Sequence, residues 1–318
     1  MSLKRLKRKK KIKALILFSG GLDSILAVKI LEREKIKILA LTFKSYFFNE
    51  KQAKKAAKEL NLPLKVIDFS KKHLEIVKKP KYGYGSQMNP CLDCHILMLK
   101  EAKKIMKKEK FDFVATGEVL GERPMSQNKK ALELAEKESS LKGYLLRPLS
   151  AKLLKPTLPE KLSWIERENL FDIFGRSRKR QIFLAKKFKI KWYPTPAGGC
   201  LLTDPQFAKR LKELLKVNPN CQGNDIELLK LGRHFWEDEI KIIVGRNEKE
   251  NEELKKLVKK RDILIEMENY SGPSTLIRNY GKSKISQKVL KEAKELTKFY
   301  SKKAREKRDV KFKVFKSS

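Results

Sequence analysis

The sequence predicts an α/β protein: a parallel sheet with helices on both faces, followed by a smaller C-terminal α+β domain. Three observations carry this. The runs ALILF (14–18), IKILALTF (36–43) and LKVIDF (64–69) are continuously apolar, as strands covered on both faces are. The stretches between them, ILAVKILERE (25–34) and EKQAKKAAKEL (50–60), are amphipathic and too long for hairpin turns, which makes them crossover helices between parallel strands. Beyond residue 205 the pattern changes to EIKIIVG (239–245) and DILIEME (262–268) with a Lys-rich tail, which reads as a second domain.

Taken in order, residues 1–13 hold eight basic side chains and read as a solvated arm with a phosphate backbone as the sharper alternative. The catalytic unit spans 14–205. After the three strands come a helix at 92–108, the strand FDFVAT (111–116), a turn-rich region with a short helix near 130–138, and a helical stretch at 164–190 broken at Gly175. PTPAGGCLLTDP (194–205) is a loop by its Pro and Gly content. A helix at 206–216 and the loop VNPNCQGND (217–225) belong to a connecting segment, 206–238, before the C-terminal domain at 239–318. The tail from 283 is a helix followed by the strand VKFKVF.

The 318 residues are 41% hydrophobic, enough for two or three cores. Lys and Arg number 76 against 38 Asp and Glu, a net charge of +38 that exceeds any solubility need and points to a polyanionic partner, nucleic acid first. No run approaches the roughly 18 apolar residues of a membrane span, so the expected location is the cytoplasm, with no membrane partner. Four cysteines, at 91, 94, 200 and 221, then read as metal, cluster or redox groups rather than disulfide staples.

SGGLDS (19–24) stands between the first strand and the first helix. Adjacent glycines admit positive φ and let backbone N–H groups approach a ligand, and the helix N-terminus adds its dipole, so the segment is an anion cradle. Asp23 can organise the loop or hold Mg²⁺. The spacing is neither that of a Walker A loop nor that of a dinucleotide fold. SGGLDS resembles the PP-loop of the ATP pyrophosphatase (HUP-like) superfamily, whose members bind ATP, transfer AMP to a substrate oxygen and release pyrophosphate. The resemblance implies that Ser19, Gly20, Gly21, Asp23 and Ser24 face the ATP phosphates, and that Thr42, Phe43 and Lys44 lie near the adenine.

MNPCLDCHILMLK (88–100) and PAGGCLLTD (196–204) resemble two motifs of the uridine-thiolating members: an Asn-Pro with a catalytic Cys opening a helix, and a second Cys in a Gly-rich loop. Cys94 and Cys200 match those positions. Cys91 makes a third thiol, as in the cluster-dependent members that hold a 4Fe-4S cluster by three cysteines and leave one iron open for sulfide. A helix N-terminus is expected to lower the thiol pKa values. A persulfide on Cys200 resolved by Cys94, and a zinc completed by Cys221 or His95, stay open; Cys221 itself reads as an ordinary buried or loop cysteine. Gly117 and the residues after it (ATGEVLGERPMSQN, 115–128) correspond to the family's Thr-Gly loop beside nucleotide and acceptor base, with Glu118, Arg123, Ser126 and Gln127 as candidates. RPLSAKLL (147–154) resembles the thiolases' Arg-Pro-Leu segment, where Arg147 and Lys152 could meet phosphates. His73 and His234 read as structural residues, and His95 as an outer neighbour of the thiols.

EIKIIVGRNEKENEEL with DILIEMENYSGPSTLIR resembles the RNA-binding domain of the NFACT family. The usual aromatic and His after its Asp are absent here. Arg246, Asn247, Asn251 and Arg278 are the RNA-contact candidates, with helix capping by the two asparagines as the alternative. The resemblances together imply a tRNA thiouridine synthase using ATP, Mg²⁺ and a 4Fe-4S cluster, with tRNA and a sulfur donor (free sulfide or a cysteine desulfurase-type protein) as partners and a homodimer left open. The rivals are another PP-loop ligase and a non-enzymatic ATP- and RNA-binding protein.

Overall fold

Strand β1 (Lys13–Leu17) is the axis of the N-terminal half. In the computed structural model, which describes residues 11–195 and 199–317, it pairs in parallel with β2 (Lys37–Lys44) on one side and β4 (Phe113–Thr116) on the other. β3 (Leu64–Asp68) extends the sheet beyond β2 and the short β5 (Leu145–Leu146) beyond β4, for the order β3-β2-β1-β4-β5. Residues 1–10 of the basic arm and 196–198 of the Gly-rich loop lie outside the described residues.

The strand is continuously apolar because both faces are covered. Ala14 and Ile16 enter one core with α1 (Leu22–Arg33), α2 (Lys51–Glu59) and α7 (Lys179–Lys187), whereas Leu15 enters another with α4 (Cys91–Lys108) and α5 (Lys129–Ser139). Ala14, Leu15 and Ile16 have no exposed surface, and each buried Leu or Ile contributes about 1.5–3 kcal/mol. The sheet is the expected one. Asn128 caps α5 by accepting from the Ala131 N–H at 2.9 Å.

Two expectations for this half are corrected. The stretch 164–190 is helical only in a single turn at Arg167–Asn169 and in α7. Phe171 and Ile173 donate their N–H groups to Pro148 and Leu149, and Gly175 to Leu120, so the chain is held extended while Ile165, Leu170 and Ile173 still reach the core. Apolar spacing alone cannot distinguish such a segment from a helix. Helix α3 (Ser70–Lys78) was not expected; only His73, Leu74 and Val77 are buried, too few for a readable stripe.

The chain divides into two units, Met1–Thr203 and Asp204–Ser318. The second holds α8 (Pro205–Val217), α9 (Gly223–Leu229), β6 (Arg233–Glu237), β7 (Ile240–Val244), α10 (Glu248–Lys256), β8 (Ile263–Met267), β9 (Thr275–Asn279), α11 (Gln287–Phe299) and β10 (Phe312–Lys316). Its sheet is antiparallel where paired, in the order β10-β8-β9-β7-β6. Ile240, Ile242 and Val244 pack toward α11, and Ile243 packs with Leu228 of α9 and Leu254 of α10. β6 and β9 were not expected as strands, and α9 begins inside the segment read as a loop. β6 pairs with β7 from within the stretch assigned to the connection.

Lys241 shares the face of Ile243. Its side chain is fully buried, with Nζ 4.1 Å from the Trp236 ring centroid and no hydrogen-bond partner among the described residues. Burial lowers its pKa to about 7, with Glu213 opposing and Arg210 reinforcing the shift. The unfolded lysine holds its proton up to about pH 10.4, so the folded chain binds fewer protons between those values and stability rises with pH there. Resistance to denaturant, followed by hydrogen exchange of the β7 amides, is therefore expected to increase from pH 7 to pH 9 by about 1.4 kcal/mol per unit. Lys241→Met should flatten that slope and raise stability at pH 7; an unchanged slope would show that the lysine is not the group responsible.

Candidate functional site

The order β3-β2-β1-β4-β5 makes the chain cross to opposite sides from β1 and β4, and their carboxyl ends border a crevice, the usual ligand position in such sheets. SGGLDS leaves β1 there. Gly20 has φ +76°, and a Cβ on it would lie 2.7 Å from the Gln52 carbonyl oxygen and 2.8 Å from Ala53 Cα, so only glycine fits. Ser19 Oγ accepts from the Gly21 N–H at 3.2 Å, and Ser24 Oγ donates to the Gly21 carbonyl at 2.8 Å. The first-turn N–H groups of α1 have no acceptor within the helix and open toward an anion.

Asp23 Oδ1 is buried without a partner among the described residues. Burial pushes its carboxyl upward, against the pull of Arg178 and Arg123. Glu122 is raised likewise by burial and by Asp23. A cation fits beside an orphaned carboxylate oxygen next to a second carboxyl. Phe43 is spent against Phe69 (centroids 5.2 Å apart), Thr42 is buried, and Lys44 pairs with Asp68 at 3.2 Å.

The loop leaving β4 closes on this cradle. A Cβ on Gly117 would stand 2.6 Å from Asp23 C and Ser24 N. Next to it Glu118 is buried, accepting from Thr116 Oγ1 at 3.0 Å and Arg147 Nε at 2.9 Å and meeting His95 Nδ1 at 2.9 Å. Burial alone would raise this carboxyl, but Arg147 and His95 together hold it well below the usual range. Arg147, read from the sequence as a phosphate contact, is only 2% exposed and is shared between Glu118 and Glu136; its charge is used inside the fold. Lys152 donates to the Glu168 carbonyl. Ser126 Oγ and Gln127 Oε1 are buried without partners among the described residues.

Cys91 opens α4, and Cys94 lies one turn in. The chain before α4 meets the Cys200 segment through the Met88 N–H on the Leu202 carbonyl at 3.1 Å, while the Leu201 N–H reaches the Phe47 carbonyl at 2.9 Å. The three thiols lie within electrostatic reach of one another. The expectation that the helix N-terminus lowers them is corrected. Burial pushes Cys94 well up, reinforced by Cys200, Cys91 and Asp93, and raises Cys200 to about 11; Cys91 is raised too, with Arg123 opposing. Desolvation outweighs the helix dipole. Among the described residues no three His, Cys, Asp or Glu side chains stand in a geometry that could hold a metal ion, yet the chemistry of the donor set, three free thiols within electrostatic reach of one another, is of the kind that holds an iron–sulfur group.

Residues 12–161 match the tRNA methyl transferase HUP domain, and residues 232–318 match the NFACT protein RNA binding domain. The first unit has a HUP-like fold. The tRNA-specific 2-thiouridylase MnmA of Caldicellulosiruptor saccharolyticus is 26% identical over 256 residues, which cover 70% of this chain and 65% of that protein, so the chain spans less than two thirds of that relative's length. Three solved structures resemble the chain at lower identity. A predicted subunit of tRNA methyltransferase from Methanocaldococcus jannaschii is 18% identical with a TM-score of 0.37, over 55% of this chain and 76% of that one. A 4-thiouridine synthetase–RNA complex with bound ATP is 18% identical at 0.39, over 65% and 51%. The U34-tRNA thiolase NcsA from Methanococcus maripaludis with its 4Fe-4S cluster is 20% identical at 0.32, over 70% and 72%. No helix among the described residues is long and apolar enough to cross a membrane.

In the NFACT-like domain the four sequence candidates are engaged internally. Asn247 caps α10 by accepting from the Glu250 N–H at 3.0 Å, Asn251 Oδ1 accepts from the Ser274 N–H at 3.0 Å, and Arg246 pairs with Glu250 at 2.5 Å. Arg278 is buried against Asp262 and Asp225. His73 is stacked on Phe69 at 5.1 Å, its pKa lowered to about 4 by burial, and His234 is lowered to about 2, chiefly by burial. Cys221 is buried. Of the HUP-domain crevice residues, Glu122, Arg178 and Gln181 were missed. Arg178 and Gln181 are three apart at the head of α7, a spacing hidden in the basic run RSRKR.

Gly117→Ala is expected to force the β4 loop off α1, costing about 1–3 kcal/mol and weakening ATP binding at least tenfold by calorimetry; wild-type affinity would show that the close approach is not needed. Arg147→Met leaves Glu118 buried with its main cation gone and should cost about 3–5 kcal/mol in denaturant unfolding.

Proposed function

We propose that the protein is an ATP-dependent tRNA thiolation enzyme that converts a uridine carbonyl to a thiocarbonyl. One observation carries the reading: Arg123, in the loop after β4, is within electrostatic reach of both Asp23 in the phosphate loop and Cys91 at the head of α4. This supports a single site for the phosphate cradle and the thiols. The HUP-domain match and the thiouridylase relative support the same class of substrate.

The N–H groups at Gly21–Ser24 and the hydroxyls of Ser19 and Ser24 bind the triphosphate, and Asp23 with Glu122 would hold Mg²⁺, which would balance the phosphate charge. The uridine carbonyl oxygen attacks the α-phosphorus, the bond to the bridging oxygen breaks, and pyrophosphate leaves. A sulfur nucleophile then adds to the activated carbon and AMP departs with the former carbonyl oxygen. A 4Fe-4S cluster, held by Cys91, Cys94 and Cys200, would supply that sulfur as sulfide, drawn from free sulfide. Without it, a cysteine desulfurase-type protein delivers sulfane sulfur to Cys200 as a persulfide whose outer sulfur adds to the carbon; Cys94 then attacks Cys200 Sγ, the S–S bond breaks to leave the thiocarbonyl, and the Cys94–Cys200 disulfide is reopened by a thiol reductant. A uridine inside a folded RNA is extruded to reach the crevice, and the net charge of +38 holds the polyanion.

Anaerobically prepared protein should thiolate tRNA with ATP and sulfide, read by mass spectrometry of nucleosides. Cys94→Ala and Cys200→Ala are expected to lower thiolation about a hundredfold or more while tRNA-dependent pyrophosphate release persists. Thiolation that survives both substitutions would refute the mechanism. Iron content lost in Cys91→Ala separates the cluster route from the persulfide route. Undiminished ATP- and tRNA-dependent product formation in the triple cysteine variant would reassign the protein to another PP-loop reaction.

A further inference from the structure

The second unit contains a polar cleft of about 280 Å³ bounded by the turn between α8 and α9, the connection from α10 to β8, and the end of β9. Its floor is Arg278, which donates to Asp262 at 2.5 Å, Asp225 at 2.9 Å, Asn224 Oδ1 at 2.6 Å and the Leu257 carbonyl at 2.8 Å. With these bonds made, the guanidinium is occupied, and with Lys259 3.5 Å from Asp225 the two carboxylates and two cations balance. The floor is rigid and close to neutral.

The wall and rim differ from the floor. Tyr280 lines one side, backed by the Trp236 ring with centroids 5.9 Å apart, which fixes its plane. Asn218, Asn220 and Lys260 also line the cleft, Asn220 and Lys260 exposed; among the described residues these three side chains have no hydrogen-bond or ion-pair partner. A multivalent anion would select several free cations. This cleft offers one, beside two amides and an aromatic ring.

We propose that the cleft binds one unpaired nucleotide of an RNA strand, its base against Tyr280, its edge hydrogen-bonded by Asn218 and Asn220, and its phosphate at Lys260. The volume, about 280 Å³, lies just under the roughly 300 Å³ at which small-ligand pockets begin, so the cleft takes one small unit of a longer strand and not a larger ligand. Stacking on an aromatic ring with amides at the base edge is how unpaired RNA is held, whereas duplex RNA offers mainly backbone. The match of residues 232–318 to an RNA-binding domain includes Lys260 and Tyr280 and stops short of Asn218 and Asn220, so the pocket needs α8 and α9 as well. The inference rests on the reading of the substrate as RNA and gives the second unit a preference for a looped-out base.

The test uses the full chain with a labelled single-stranded oligouridylate and an RNA duplex of the same length, compared by fluorescence anisotropy at fixed salt. Tyr280→Ala is expected to weaken single-strand binding about tenfold and Tyr280→Phe to leave it nearly intact. Asn220→Ala, at an exposed position that bonds to nothing in the fold, should weaken it about threefold to tenfold, with duplex binding unchanged in each case. Equal losses for strand and duplex would make the cleft a general phosphate contact and overturn the proposal, as would unaltered single-strand affinity in both Asn220→Ala and Tyr280→Ala. Pyrophosphate release with tRNA is measured alongside. Its absence from the wild type counts against thiolation and leaves the cleft to be judged by binding, whereas its persistence with unaltered strand affinity removes the cleft alone.

Discussion

A missing Cβ holds the candidate site together. Gly117 lets the chain leaving β4 approach the first turn of α1 more closely than any side chain would allow, the nearest atoms being 2.6 Å from where a Cβ would stand. That approach closes the crevice between β1 and β4 and sets the backbone of Glu118 one residue on. Glu118 then gathers Thr116, Arg147 and His95 around one carboxylate. Because His95 follows Cys94 on α4, the helix that carries two of the thiols is tied to the same strand end as the phosphate loop. Steric constraint, buried ion pair and thiol placement form one chain of dependence.

Polar groups are treated differently in different places. Arg147, Arg278 and Glu118 are buried and paired, as buried charges mostly are, whereas Lys241 Nζ, the ring nitrogens of His73 and His234 and Trp236 Nε1 are buried without partners among the described residues. Around the crevice Asp23 Oδ1, Ser126 Oγ, Gln127 Oε1 and both amide atoms of Gln181 are likewise buried without partners among the described residues. Unpaired buried polar atoms cost stability, and a fold that keeps several in the loops after β1 and β4 and in α7 spends that cost where a ligand can satisfy them. The elevated thiols follow the same logic, since burial disfavours their charged form until a positive partner arrives.

The doubly covered sheet, the phosphate loop and the Cys91–Cys94 pair were legible in the sequence, because a strand buried on both faces is apolar at every position and a Gly-Gly turn before a helix has few other uses. Residues 164–190 were misread as helical because Ile165, Leu170 and Ile173 reach the core from an extended segment held by Pro148, Leu149 and Leu120, partners that no local window contains. β6 and β9 escaped for a related reason: their apolar residues are few, and pairing with β7 makes them strands.

By itself the sequence determined the parallel sheet covered on both faces and the Gly-Gly turn between β1 and α1, since each depends on a short run of neighbours. Tertiary structure alone decided which charged residues are free to act. Arg147, read as a phosphate contact, and Arg278, read as an RNA contact, are internal counterions, while Arg123, Glu122, Arg178 and Gln181 come together at Asp23 from separate segments. The reason is physical: burial and the distance between charges fix whether a side chain is spent or available, and both are properties of the packed chain.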